Sequence, residues 1–111
     1  MLWNATEQQA REIAARIVEL ADPDTVLLFG SVARGTALQD ASDIDLAVVW
    51  PDNGEPRRTR LVRLRQPLGL LSVPLDIVSF TRDEWAAEVI SPISLAHAIL
   101  QEGKVLYERL H

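Results

Sequence analysis

Apolar residues recur at three- and four-residue spacing through the first part of the chain. Ile13, Ile17 and Leu20, with Ala10, Ala14, Val18 and Ala21, form one stripe of an amphipathic helix over residues 4–21. Asn4 with Glu7, or Thr6 with Gln9, has the spacing of a capping box at its start. Asp22-Pro23-Asp24 stops it, because the residue before a proline avoids helical backbone. The pattern then changes period. Thr25 to Phe29 (TVLLF) and Ile44 to Trp50 (IDLAVVW) are apolar runs of strand length, as expected of buried strands. Gly30-Ser31 ends the first run. Val32 to Leu38, which contains Gly35, reads as a loop or a single helical turn. Pro51-Asp52-Asn53-Gly54 closes the second run with a strong turn signal.

Helical spacing returns at Arg57 to Leu71, where Leu61, Leu64 and Leu68 stand at i, i+3 and i+7, and Pro67 predicts a kink or an end near Gln66. Leu75 to Phe80 (LDIVSF) is a third strand. Thr81-Arg82-Asp83-Glu84 is a capping box ahead of a helix through about Val89. Ser91-Pro92 opens another helix, with serine as N-cap and proline at the first helical position. That helix carries Ile93, Ala96, Ile99 and Leu100 and ends at Gly103. Lys104 to Tyr107 (KVLY) is a final strand. The order α-β-(turn)-β-α-β-α-α-β implies an α/β layer architecture. Neither repeats nor a linker divide the chain, so one domain over residues 1–111 is expected.

The 111 residues carry a net charge of −5, which argues against a general nucleic-acid coat protein. With no cysteine, disulfides, thiolate metal sites and a cysteine nucleophile are excluded. No apolar run approaches a membrane span, and Met1 to Glu7 lacks the basic and apolar regions of a signal peptide. A cytoplasmic location is the expectation. Basic charge is concentrated at Arg57, Arg58, Arg60, Arg63 and Arg65. Such a cluster is either a solvated helix face or a patch for phosphates or an acidic partner.

Three acids stand where an acid needs a reason. Asp43 and Asp45 bracket Ile44 at the start of an apolar run, and Asp76 interrupts Leu75-Asp76-Ile77-Val78. Residues two apart on a strand share a face, so Asp43 and Asp45 project together while Ile44 and Leu46 point into the core. If the third strand is a neighbour, all three carboxylates converge on one edge of the sheet. Clustered carboxylates repel one another, and hard divalent cations remove the conflict. Two such ions can flank an in-line phosphoryl displacement. Gly30-Ser31 supplies the complementary half: glycine permits a sharp bend and close ligand approach, and serine offers a hydroxyl and a backbone N–H to phosphate oxygens.

Gly30-Ser31-x-x-x-Gly35 followed by Asp43-x-Asp45 and a downstream strand Asp76 resembles the minimal nucleotidyltransferases of the DNA polymerase β superfamily. The stretches from Gly30 to Ala37, from Ser42 to Leu46 and from Leu100 to Glu108 are similar to the antitoxin component of HEPN/MNT toxin–antitoxin pairs. The resemblance implies a polymerase β-like fold, a small mixed sheet of about four strands flanked by helices. It implies ATP or another NTP as substrate, two Mg²⁺ ions, and transfer of a nucleoside monophosphate, AMP in the case of ATP, with release of pyrophosphate. Asp43 and Asp45 would hold both metals; Asp76 would hold the catalytic metal and help deprotonate the incoming hydroxyl. Gly30 and Ser31 would bind the triphosphate. The implied partner is a HEPN ribonuclease toxin, silenced by AMP on a tyrosine; a homodimer and a hetero-oligomer both stay open, and the composition leads to no expected membrane or direct nucleic-acid contact. The rivals are an antitoxin that acts by contact alone and a free-standing transferase modifying a small-molecule hydroxyl.

Other residues are weighed beside these. Arg34, next to the phosphate loop, is a candidate phosphate or acceptor contact, against a surface ion pair. Ser42 can cap or orient the first acid. His97 and His111 lack ligand partners and read as structural. Trp3, Trp50 and Trp85 read as core or interface residues, with Trp50 the best candidate for base stacking. Tyr107 is expected against the sheet edge.

Overall fold

The computed structural model describes residues 7–34, 43–51, 59 and 75–109. Its first helix, α1, spans Glu7–Ala21 and turns Ala10, Ile13, Ala14 and Ile17 into the core, as the spacing predicts, while Leu20 of the same stripe is exposed. Burying a side chain such as Ile17 is worth roughly 2 kcal/mol, so this stripe holds the helix more firmly than propensity does. The helix stops where Asp22 adopts φ 49°, a left-handed conformation that aspartate tolerates better than most residues. Asp24 then donates its backbone N–H to the Val49 carbonyl at 2.8 Å, which feeds the chain into the sheet.

Strands β1 (Thr25–Phe29), β2 (Ile44–Trp50), β3 (Leu75–Thr81) and β4 (Lys104–Glu108) form one sheet in the order β3-β2-β1-β4. The sheet is mixed: β1 is antiparallel to both β2 and β4, while β2 and β3 run parallel. Short helix α2 (Gly30–Arg34) follows β1 without an intervening loop. Helices α3 (Arg82–Glu88) and α4 (Leu95–Glu102) come between β3 and β4.

Each face of the sheet has its own apolar layer. Val26, Leu28, Ile44, Leu46, Val48 and Trp50 meet α1 together with Val32 and Ala33 of α2. Leu27, Ala47, Val49 and Phe80 meet Ala96 and Ile99 of α4, with Trp85 of α3 packed alongside. Coverage on both sides explains why β1 and β2 read as unbroken apolar runs rather than alternating ones. Phe80 and Trp85 join α3 to β3 through an edge-to-face contact at 5.2 Å. Among the described residues no helix is long and apolar enough to cross a membrane.

As expected, the chain bends after β1: Gly30 adopts φ 74° and a single short helix follows through Arg34. Two expectations need correction. The helix expected from Ser91-Pro92 begins later: Ser94 is the N-cap, its hydroxyl accepting from the His97 N–H at 3.0 Å. Residues 89–94 are instead a run of tight turns, in which Ser91 N–H bonds to the Glu88 carbonyl and Ser94 N–H to that of Ser91. Ile93 therefore lies outside the helix and is 96% exposed. Trp50, the candidate stacking platform, is buried to 3% and donates its indole N–H to Ser79 Oγ at 2.6 Å, so no base can reach its faces. By contrast, Thr81 and Glu84 form both halves of the expected capping box, and Tyr107 packs beside the core from edge strand β4. The expected helix at Arg57 to Leu71, apart from Thr59, lies outside the described residues, as do the Arg57–Arg65 cluster, Trp3, Ser42 and His111.

Candidate active site

The parallel pairing of β2 and β3 decides where the acids go. Its register sets Ile44 against Leu75, Asp45 against Asp76 and Leu46 against Ile77. Asp45 and Asp76 are thus direct neighbours across two strands, on the face that also carries Ala47 and Val49. The opposite face of the same stretch is filled by Ile44 and Leu46, both fully buried. Asp43 lies immediately ahead of β2 and is half-buried. All three acids therefore sit at the end of the sheet where β2 and β3 begin. Among the described residues no three His, Asp or Glu side chains are drawn together into a ready metal cage.

The glycine reaches the acids through a third strand. Phe29, the last residue of β1, pairs with Asp45, and Gly30 follows it with φ 74°, in the left-handed region. The start of α2 is thereby brought onto the Asp45 carboxylate. A Cβ placed on Gly30 would collide with Asp45 Oδ2 and stand 3.0 Å from its Cγ. Ser31 and Arg34 follow as the second and last residues of α2. Motif residues separated by a spacer in the chain are joined in space by the β1–β2 ladder. The sequence pattern finds Gly30 and Asp45 separately; it offers no signal that they touch.

Asp24 is an acid that spacing arguments passed over, because it reads as part of a helix stop. It is 6% exposed at the other end of β1. Arg82 donates to it from Nε at 2.5 Å and from Nη2 at 3.0 Å. Arg109 donates its backbone N–H to the Asp24 carbonyl at 2.8 Å and brings its guanidinium within 3.8 Å of the carboxylate. These contacts tie α3 and the end of β4 to the start of β1, so Asp24 serves the fold and stands away from the acid pair. His97 is likewise structural, its Nδ1 lying 2.7 Å from the Val89 carbonyl.

Comparison with known proteins gives the family and supports the fold. Residues 9–103 match the profile of the nucleotidyltransferase domain family. The fold is similar to that of a Sulfolobus solfataricus protein assigned as a nucleotidyltransferase, at 20% identity and TM-score 0.62, covering 92% of this chain and 79% of that one. It is equally similar to a chain of a toxin–antitoxin complex crystallised with AMP-PNP, at 20% identity and TM-score 0.62, covering 89% and 73%. No curated protein matches the sequence. With most of its length inside the family profile and its two strand acids in register, the chain belongs to the nucleotidyltransferase domain family of enzymes.

Proposed function

We propose that the chain transfers AMP from ATP to a hydroxyl group of a partner protein, acting as an antitoxin against a HEPN ribonuclease toxin. The observation that carries the reading is the opposition of Asp45 and Asp76 beside the start of α2. Two carboxylates on adjacent strands, with Asp43 just ahead, form an all-oxygen donor set that suits hard divalent cations such as Mg²⁺. Asp43, Asp45 and Asp76 would hold two Mg²⁺ ions, whose bound charge offsets that of the triphosphate and favours departure of pyrophosphate. Gly30, Ser31 and Arg34 are the residues assigned to the nucleotide phosphates.

In this reading the acceptor oxygen attacks the α-phosphorus of ATP. The bond from that phosphorus to the oxygen bridging the β-phosphate breaks, and pyrophosphate leaves with the electron pair. Asp76 would take the hydroxyl proton; it is exposed on β3, while its neighbour Asp45 is half-buried. The toxin–antitoxin neighbour supports a protein partner, which this reading takes as the acceptor.

A contact-only antitoxin is the second reading, favoured by Ile90 and Ile93, which stand 80% and 96% exposed on the turns between α3 and α4. Intact-mass measurement of the partner after co-expression separates the two. The expected result is a mass gain in units of AMP with the wild type and none with Asp45→Asn. Full neutralisation of the toxin by Asp45→Asn, with no mass gain in either case, would replace the catalytic reading by the contact one.

A further inference from the structure

We infer that Gly30 is a positioning residue for Asp45: its missing side chain is the seat against which the carboxylate rests. This role rests on the proposed part of Asp45 in holding metal. The three heavy atoms nearest to a Cβ added at Gly30 all belong to Asp45: Oδ2 in direct overlap, Cγ at 3.0 Å and Cβ at 3.3 Å. The glycine is thus bare toward one side chain.

Neither backbone can yield. The Asp45 backbone is fixed on both sides, by Phe29 of β1 and by Asp76 of β3. Gly30 is held by its position between the last residue of β1 and the first turn of α2, at φ 74°. A side chain at position 30 would have to be relieved by rotating the Asp45 carboxylate away from α2. Aspartate has one rotatable bond between Cβ and backbone and few staggered positions. Turning about Cβ–Cγ moves Oδ2 out of the overlap, and the crowding at Cγ needs a further shift about Cα–Cβ; either motion re-aims the carboxylate oxygens. The bend that lets a phosphate approach the backbone also fixes where a metal-holding oxygen stands, and the second task needs the absence of Cβ even with no nucleotide bound.

Two substitutions separate this packing role from backbone strain and from the proposed chemistry. Gly30→Asn introduces a Cβ while tolerating positive φ; Gly30→Ala introduces the same Cβ with strain. Thermal unfolding is measured for both in the wild-type and Asp45→Ala backgrounds. The expected result is a loss of at least ~5 °C for Gly30→Asn beside Asp45, and less than half that loss in the Asp45→Ala background, where the carboxylate is gone. Equal losses in both backgrounds overturn the inference. If the position-30 variants fold only with Asp45→Ala, the inference stands; if they fold in neither, it fails, since the bare Cα then serves the backbone alone. The second readout is Mn²⁺ affinity in the presence of AMP-PNP, followed by electron paramagnetic resonance. Gly30→Asn is expected to weaken it ~10-fold or more, the range typical of groups that orient metal ligands. An unchanged Mn²⁺ affinity in folded Gly30→Asn, where Asp45→Asn loses it, overturns positioning. If Asp45→Asn itself leaves Mn²⁺ affinity unchanged, the proposed metal role fails while the unfolding data still report on the seat.

Discussion

Asp24 and Arg82, 58 residues apart in the chain, meet at the end of the sheet opposite Asp45 and Asp76. The acid is buried and the arginine side chain is about half exposed, at 51%. The pair therefore combines a desolvated carboxylate with a cation that keeps much of its water. Such a pair is most noticeable when one member is removed, because the buried charge is then left with less support.

Arg82→Ala is accordingly expected to destabilise the fold by roughly 2 kcal/mol, below the range for fully buried pairs because half of the guanidinium is hydrated and Arg109 remains nearby. Urea unfolding measures this. Nucleotide binding by the folded variant is expected to stay at the wild-type level, since the pair lies at the far end of β1 from Gly30.

Asp76→Asn is expected to lower turnover at least ~100-fold, through loss of the charged ligand and proton acceptor proposed for it. Its melting temperature is expected to remain within about 2 °C of the wild type, as befits an exposed position. A parallel fall in activity and stability would mean that Asp76 holds the sheet rather than the reaction.

Glu7 links the start of α1 to the start of β4. Lys104 Nζ donates to it at 2.6 Å, and Arg11 donates to its other oxygen one helical turn away. Lys104 first, and Arg11 second, hold the Glu7 carboxyl below its ordinary value of 4.5. A carboxyl whose folded-state pKa is lowered adds stability above the unfolded value and loses it as pH falls through the folded value. Wild type should therefore melt above Glu7→Gln at neutral pH, with the gap narrowing below pH 4.5. Added salt should narrow it too, because the group is exposed to solvent.

Ser79→Ala is expected to cost about 1–2 kcal/mol by removing the acceptor for the buried Trp50 indole. Denaturant unfolding gives the value. Trp50→Phe in the Ser79→Ala background should cost less than it does alone, since the N–H no longer needs that oxygen.

The parts of this architecture written in the sequence are those whose determinants are neighbours in the chain. The period-two placement of Asp45 between Ile44 and Leu46, the α1 stripe and the Thr81–Glu84 capping box each need only a few consecutive residues. Ser91 and Ser94 show where local information ends. Both can cap a helix, and Pro92 favours the first, yet the helix starts after the second, where Ala96 and Ile99 meet the sheet, while Ile93 stands exposed. Asp24 was illegible for a plainer reason: the arginines that explain it come from α3 and from the end of β4. The one-to-one register of Asp45 with Asp76 belongs to the same class, because period two gives a face but not a partner.

That register also polices itself. A slip of β2 by one residue would swing Asp45 into the layer beneath α1 and push Ile44 and Leu46 out to the other side. A molecule with its acids wrongly presented would thus lose its core in the same step. Misassembled copies should unfold and be cleared, rather than linger as well-folded proteins without activity.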